Sequence, residues 1–482
     1  MSELGGDAVR GGLWATAEKV VSRGLRLGRY AVLARLLTPE QFGLFGFAVL
    51  ALTVSNRFSE LGIDTALIAR EGDIEGAIPT ALTLQIARGL VLGAALFLAA
   101  PLVAAFFGDP RAVGLVRLVA LVPVVDGLHN PTLVTLDRSL DFRTRALITA
   151  LTDTANTAVA IGLALATGSV VALIAGMLAG TVVRAVVSYL VVSLRPLPGF
   201  DRGEARRLID YGKWLTGTSI LAWLTREGDD ALVGAVLGSA SLGLYRAAYQ
   251  FGRSPQTEIT GVINTVAFPA FSNVQSDARA LQEGYRRTLQ LVGALAFPAS
   301  VGAALVAPVF VPVVLGSQWV EMVPVMQVLS LTTVFHTVGA GAAPLFQAVD
   351  RPDLLTKIKV VVLVALGALI LPLIEAFGLV GAGIAVMASV AAAAPIKAVV
   401  AAWILEGGLV EQVAPLAPSA VATLGMAAVV APLVPLVPVS AFGLAGLIAA
   451  GVVAYVAATA LLDLVGAGTF DLAREMVTAV RG

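Results

Sequence analysis

The feature that most constrains this 482-residue chain is a succession of apolar runs, each long enough to cross a lipid bilayer. A helix needs about 20 mostly apolar residues to span the hydrocarbon core. Runs of that kind, bounded by glycine, proline and charge clusters, predict fourteen helices. The first six cover 11–36, 42–63, 78–107, 113–136, 145–167 and 169–193. After a polar stretch at 194–203 come 206–236, 242–271, 286–315, 321–348, 356–376 and 378–404. A break at 406–411 precedes a last pair at 413–436 and 440–464, and 467–482 reads as a short amphipathic surface helix. Composition agrees: 58% of residues are hydrophobic and 13% charged, where a soluble domain has about 25% charged. The expected fold is therefore an all-α integral membrane protein. No removable signal peptide is expected before the first helix.

Lys plus Arg equals Asp plus Glu, 32 each, so bulk charge selects no partner, and the absence of cysteine excludes disulfides and thiolate metal sites. The placement of charge is more telling. The first predicted helix carries Lys19, Arg23, Arg26 and Arg29 within its span. At about 100° per residue, Lys19, Ser22, Arg23, Arg26 and Tyr30 share one side. A cation at bilayer depth costs about 2.5–3.5 kcal/mol on insertion scales, so such residues normally face a bundle interior or a wet cavity. A basic cavity suits an anionic passenger. Arg35, near the helix end on another side, is read as snorkelling to the interface. Lys and Arg concentrate in alternate loops, at Arg138, Arg143 and Arg145, at Arg195, Arg202, Arg206 and Arg207, and at Arg279, Arg286 and Arg287. The positive-inside rule then places both termini in the cytoplasm. The loops on the other side are short turns that leave no room for an external catalytic domain.

The chain also repeats. Leu36 to Phe45, LLTPEQFGLF, is echoed two hundred positions later by Val236 to Tyr245, VLGSASLGLY, and Ala48 by Ala248. Ala100-Pro101 with Phe106-Phe107-Gly108 is echoed by Ala307-Pro308 with Val314-Leu315-Gly316. Six helices followed by six in the same orientation make a parallel repeat, which packs as two lobes around a midplane site. The expected organisation is an N-terminal lobe at 1–193, a cytoplasmic linker at 194–205, a C-terminal lobe at 206–404, and a final helix pair with its tail at 405–482. The two six-helix lobes are expected to be pseudo-symmetric around a central cavity.

The run from Ala34 to Phe45, ARLLTPEQFGLF, resembles the opening signature of bacterial and archaeal polysaccharide flippases. So do Ser59 to Ile68 and the Phe106-Phe107-Gly108-Asp109 turn. Asp230-Ala231-Leu232-Val233-Gly234, Phe268-Pro269-Ala270-Phe271-Ser272, Gly316 with Trp319, and Asp350-Arg351-Pro352-Asp353 continue the pattern over residues 11–400. The chain is similar to the polysaccharide-transporter branch, the O-antigen and lipopolysaccharide flippases, of the multidrug/oligosaccharidyl-lipid/polysaccharide exporter superfamily. That resemblance implies a carrier, not an enzyme. It would move polyprenyl-pyrophosphate-linked oligosaccharide across the cytoplasmic membrane by alternating access, for cell-surface polysaccharide biosynthesis. It implies membrane lipids as surroundings and polysaccharide polymerase and ligase machinery as partners, with no nucleic acid.

A pyrophosphate head wants arginine, whose planar fork matches phosphate oxygens. The candidates are Arg23, Arg26 and Arg29 on helix one, Arg57 on helix two and Arg253 on helix eight, with Tyr30 and Tyr249 as lumen aromatics. Related lipid II flippases place key arginines on helices one, two and eight. The competing reading pairs these arginines with Glu18, Glu60, Asp64 or Glu258 as structural ties. On helix seven, Glu227, Asp229 and Asp230 are candidates for H⁺ or Na⁺ coupling, or an ion-pair knot around Arg226. Arg88, Asp126, Asp153, Arg184 and Lys397 stand isolated along the sequence and read as packed or hydrated polar partners. His129 and His336 lack a second ligand at metal spacing, and no cofactor is expected. Two other functions stay open: a drug/cation antiporter of the same superfamily, which would favour acidic or aromatic cavities, and a membrane glycosyltransferase, which would need an assembled catalytic centre.

Overall fold

The computed structural model describes residues 22–464 apart from 60–61, 71, 73, 140, 255, 257–258, 260–266, 269 and 276, and gives the helix but not the side chains over 211–222. Glu18, Lys19, Glu60, Glu258 and the tail at 467–482 lie outside what is described. Every regular element among the described residues is helical. Contacts divide the chain into two compact units, Met1–Gly243 and Leu244–Gly482.

The first unit contains α1 (22–36), α2 (Pro39–Phe58), α3 (Ile63–Ala69), α4 (Ile78–Phe107), α5 (Ala112–Val119), α6 (Leu121–Asp126), α7 (Val134–Arg138), α8 (Phe142–Thr167) and α9 (Val171–Val191). It also contains most of α10 (Arg202–Gly252). The second unit follows with α11 (Ala278–Val314), α12 (Val323–Val338), α13 (Ala342–Ala348), α14 (Asp353–Ile404), α15 (Leu409–Val413), α16 (Ala417–Leu433) and α17 (Ala441–Leu464). Nine described helices are long and apolar enough to cross a membrane, eleven if each of two bent pairs forms one span. Among them, α14 has 52 residues, about 78 Å if straight at 1.5 Å per residue and far beyond a hydrocarbon core of about 30 Å. Gly378, at φ 57° and ψ −135°, breaks it, and Gly238, at φ 82° and ψ −176°, breaks α10. Both are conformations that a Cβ disfavours. The fourteen spans expected from sequence are not counted separately among the described residues, because the first begins outside them and α10 and α14 each join two expected spans across a glycine break.

Lipid, not water, is the solvent implied by the surface. Leu98, Leu102, Phe106, Leu190, Val364, Phe442 and Leu464 stand exposed, and only 11% of the apolar window of α17 is buried. Soluble monomers rarely show apolar patches of this extent. Inside the second unit, Phe271, Tyr285, Leu289, Phe297, Leu345 and Phe346 form a closed core. The last helix pair packs on α11 through Val309, Met426, Val430 and Leu447, with the Tyr455 hydroxyl donating to Ala294 O at 2.9 Å.

The signature motifs converge at one end of the first unit. Thr38 caps α2: its Oγ1 accepts from Gln41 N at 3.3 Å while Gln41 Oε1 accepts from Thr38 N at 2.9 Å, a reciprocal box that explains Thr-Pro-Glu-Gln at a helix start. Gln41 also donates to Gly168 O at 2.8 Å, beyond the end of α8. Arg111 bridges Glu40 at 2.7 Å and Asp109 at 2.8 Å. The Arg111 guanidinium holds the Asp109 carboxyl below the usual carboxylate range, helped by a bond from Ser239. Phe47 stacks on Phe107 at 4.0 Å, and a Cβ on Gly234 would come within 2.8 Å of the Phe47 ring. The repeat appears here as contact. A Cβ on Gly43 would lie 1.6 Å from Ser239 O, and one on Gly243 would lie 1.9 Å from Pro39 O. Gly243 is the echo of Gly43, and Ser239 the echo of Pro39, so the two segments meet reciprocally.

Candidate functional site

Two predicted spans of the first unit are not continuous. The span expected at 42–63 stops at Phe58 and resumes as α3, and the one expected at 113–136 bends by 66° between Asp126 and Pro131. Non-helical backbone at membrane depth is tolerated where it is buried in protein or lines a polar cavity. Broken helices of this kind form the sites of many transporters. Both breaks here line one polar cavity of about 540 Å³. The cavity depends on close backbone approach. A Cβ on Gly89 would sit 2.4 Å from Pro123 O and one on Gly127 2.6 Å from Gln85 O, so α4 touches the broken segment backbone to backbone, as small residues allow between membrane helices.

Arg57, in the last turn of α2, lines this cavity. Arg88 also lines it, but its guanidinium is committed to the end of α2. Its Nε donates to Ser59 O at 2.7 Å and to Ser59 Oγ at 3.2 Å, and its Nη2 to Asn56 O and Oδ1, both at 3.3 Å. A cation on the last carbonyls of a helix satisfies orphan acceptors and complements the helix dipole. Arg184 pairs with Asp126 at 3.4 Å. His129 Nδ1 donates to Asp126 O at 2.5 Å, which assigns the ring proton and leaves Nε2 as an acceptor in the neutral ring. Gln85 Nε2 donates to that Nε2 at 3.3 Å and approaches Asp64 Oδ1 at 3.4 Å. Gln85 is 7% exposed, and its Oε1 has no hydrogen-bond partner among the described residues. Trp223 Nε1, on α10, donates to Thr53 Oγ1 of the cavity wall at 3.3 Å.

In the second unit, Arg253 donates to the Tyr249 hydroxyl and lies over the Tyr249 ring at 4.7 Å, a cation–π contact. It also reaches Gln256 Oε1 at 2.9 Å and His336 Nε2 at 3.2 Å. His336 stands in the last turn of α12, before the break at Gly339, against which the Lys397 side chain packs. His129 and His336, the two histidines of the sequence, are separated by the same interval as the repeat prolines Pro101 and Pro308. Each presents Nε2 to a donor.

The other expected residues fall elsewhere. Arg26 pairs with Asp153 on α8 at 3.2 Å. Arg29 is half-buried nearby, with Nη1 lacking a partner among the described residues, and Arg23 is half-buried. Tyr30 rests on Phe42, ring centroids 5.0 Å apart. On α10, Asp229 and Asp230 are buried and Glu227 is half-buried. No group of three metal-ligating side chains occurs among the described residues. Arg88, Asp126 and Arg184, isolated along the sequence, are thus brought onto one cavity wall with Arg57 and His129.

Residues 32–324, more than half of the chain, match the model of a family described as polysaccharide biosynthesis protein. The chain belongs to this family. Its relatives include the lipopolysaccharide biosynthesis protein WzxC of Escherichia coli (strain K12), 28% identical over 73% of this chain and 72% of that protein. The teichuronic acid biosynthesis protein TuaB of Bacillus subtilis (strain 168) is 22% identical over 73% of this chain and 74% of its own. Among solved structures, an inward closed form of the lipid II flippase MurJ superposes with TM-score 0.77 at 13% identity, covering 94% of this chain and all of that one. An inward-facing multidrug resistance transporter of the MATE family, itself of the MOP superfamily, gives 0.64 at 14% identity, covering 81% of this chain and 98% of that one. At these identities the two structures establish the fold alone: this family member is a multi-pass membrane protein whose described regular elements are all helical, folded like these transporters.

Proposed function

We propose that the protein is a flippase that carries polyprenyl-pyrophosphate-linked oligosaccharide across the cytoplasmic membrane for cell-surface polysaccharide assembly. The observation that carries this reading is the guanidinium-bearing polar cavity at two helix breaks inside an apolar bundle, in a chain of the polysaccharide biosynthesis family. Arginine at such depth is retained for an anionic cargo or a structural tie. The pyrophosphate would engage Arg57 and Arg253, with Arg23, Arg26 and Arg29 of the first helix and with Tyr249 and Tyr30 beside them. Lobes at 1–193 and 206–404 would exchange access between the two leaflets, driven by H⁺ or Na⁺ at Glu227, Asp229 and Asp230. Both termini would lie in the cytoplasm, and polymerase and ligase would consume the delivered glycan.

The test is complementation of glycan export in a strain lacking its own flippase, alongside flipping of a defined lipid-linked sugar in liposomes. Arg57→Ala and Arg253→Ala are each expected to reduce export at least about tenfold, as befits the loss of a charge-assisted bond, while insertion into the membrane stays normal. Full export by both variants would sink the cationic-site reading. Proton- or Na⁺-dependent drug efflux without lipid flipping would replace the function.

A further inference from the structure

The cavity of the first unit contains more than a phosphate site needs. We infer that, beside the pyrophosphate contact proposed at Arg57, it holds the adjoining sugar residue of the cargo through hydroxyl groups at Gln85. This inference deepens the flippase reading and rests on it.

Three observations carry it. The first is the state of the cations. Arg88 is spent on four acceptors at the end of α2, and Arg184 faces Asp126. These two guanidiniums therefore shape the wall and balance its carboxylates. The second is Gln85 Oε1, more than nine-tenths buried on the cavity wall and without a partner among the described residues. Buried acceptors of this kind are rare and ask for a donor. An ionised phosphate has only acceptors and leaves Gln85 Oε1 unsatisfied, whereas a sugar hydroxyl donates one bond and accepts others. The third is the composition around it. Asp64 and Asp126 accept, Asn56 and Thr65 do both, and Arg57 donates. Such an alternation suits a ring of hydroxyls. At about 540 Å³ the cavity lies within the range of about 300–1,000 Å³ of small-molecule pockets. The His129 ring fixes Gln85 in place, because its Nδ1–H bond to Asp126 O makes Nε2 the acceptor that holds the amide nitrogen. The amide oxygen is thereby kept as the acceptor offered to the ligand.

The experiment measures binding to the purified full chain of two probes sharing one short polyprenyl pyrophosphate, one bare and one carrying a single hexose. Wild-type protein is expected to bind the hexose-bearing probe more tightly. Gln85→Leu should remove most of that preference, weakening the glycosylated probe about fivefold to tenfold, the worth of one hydrogen bond, and leaving the bare probe within about twofold. Gln85→Glu, which keeps an acceptor of the same length, should retain the preference better than Gln85→Leu, and size-exclusion profiles of both variants establish folding. An equal loss for both probes would put the pyrophosphate, and not a sugar, against Gln85 and overturn the inference. Equal binding of both probes by wild type, or an unchanged preference in Gln85→Leu, would overturn it as well. Loss of flipping in liposomes with the binding preference intact would count against the transport reading alone.

Discussion

Arg57 and Arg88 share a cavity wall, yet their surroundings assign them different duties. Arg88 closes the end of α2 with four hydrogen bonds, so its loss leaves carbonyls unsatisfied in an apolar setting. Arg88→Ala is expected to destabilise the purified protein by about 2 kcal/mol, the scale of hydrogen bonds to a charged group, a loss that thermal unfolding in detergent reads. Asp109 gives a pH-dependent counterpart outside the membrane. Because Arg111 lowers its pKa from the ordinary 3.8, the stability it supplies is present above that value and lost as pH falls through the lowered one. Asp109→Asn should therefore be less stable than wild type at neutral pH, with the two unfolding curves converging in acid. Arg57 is legible in the sequence as a lone cation in an apolar run. Gln85 and His129 are not, because a neutral polar residue barely moves the hydropathy of a helix and its partners lie 21 to 44 positions away.

The helices themselves were mostly readable, since runs of apolar residues between charge clusters have few alternatives in a bilayer. Their interruptions were harder to see. The run at 113–136 reads as one span because the residues around Gly127 and Asn130 leave its average apolar, yet the 66° bend falls at Asn130-Pro131, where Asn130 is extended before the proline and caps the next turn, and Gly127 allows α4 to approach. The glycine breaks of α10 and α14, in contrast, coincide with boundaries drawn from the sequence at 236–242 and 376–378. At the contact of α2 with α10 there is no space for a side chain at position 43 or 243. Gly43→Ala and Gly243→Ala must each push a carbonyl away, at about 1–3 kcal/mol for overpacking. Lower yields of folded protein and lower midpoints are expected for both. A Gly28→Ala control, where a Cβ meets no atom within 4 Å, should behave as wild type.

For the molecule as a whole, the absence of cysteine makes topology directly measurable. Single cysteines at Arg111 and Arg279, both in exposed positions, are expected to react with a membrane-impermeant thiol reagent from opposite sides, Arg111→Cys from outside. Labelling of both from the same side would contradict cytoplasmic termini. The reciprocal glycine contact has a consequence of another kind. Contact of residue i with j and of j's counterpart with i's counterpart is the pattern of an isologous, two-fold interface between identical subunits. In Gly43 against Ser239 and Gly243 against Pro39, one polypeptide reproduces that pattern with itself. Each glycine lies against a carbonyl of the other segment, so the crossing has no side on which a side chain fits.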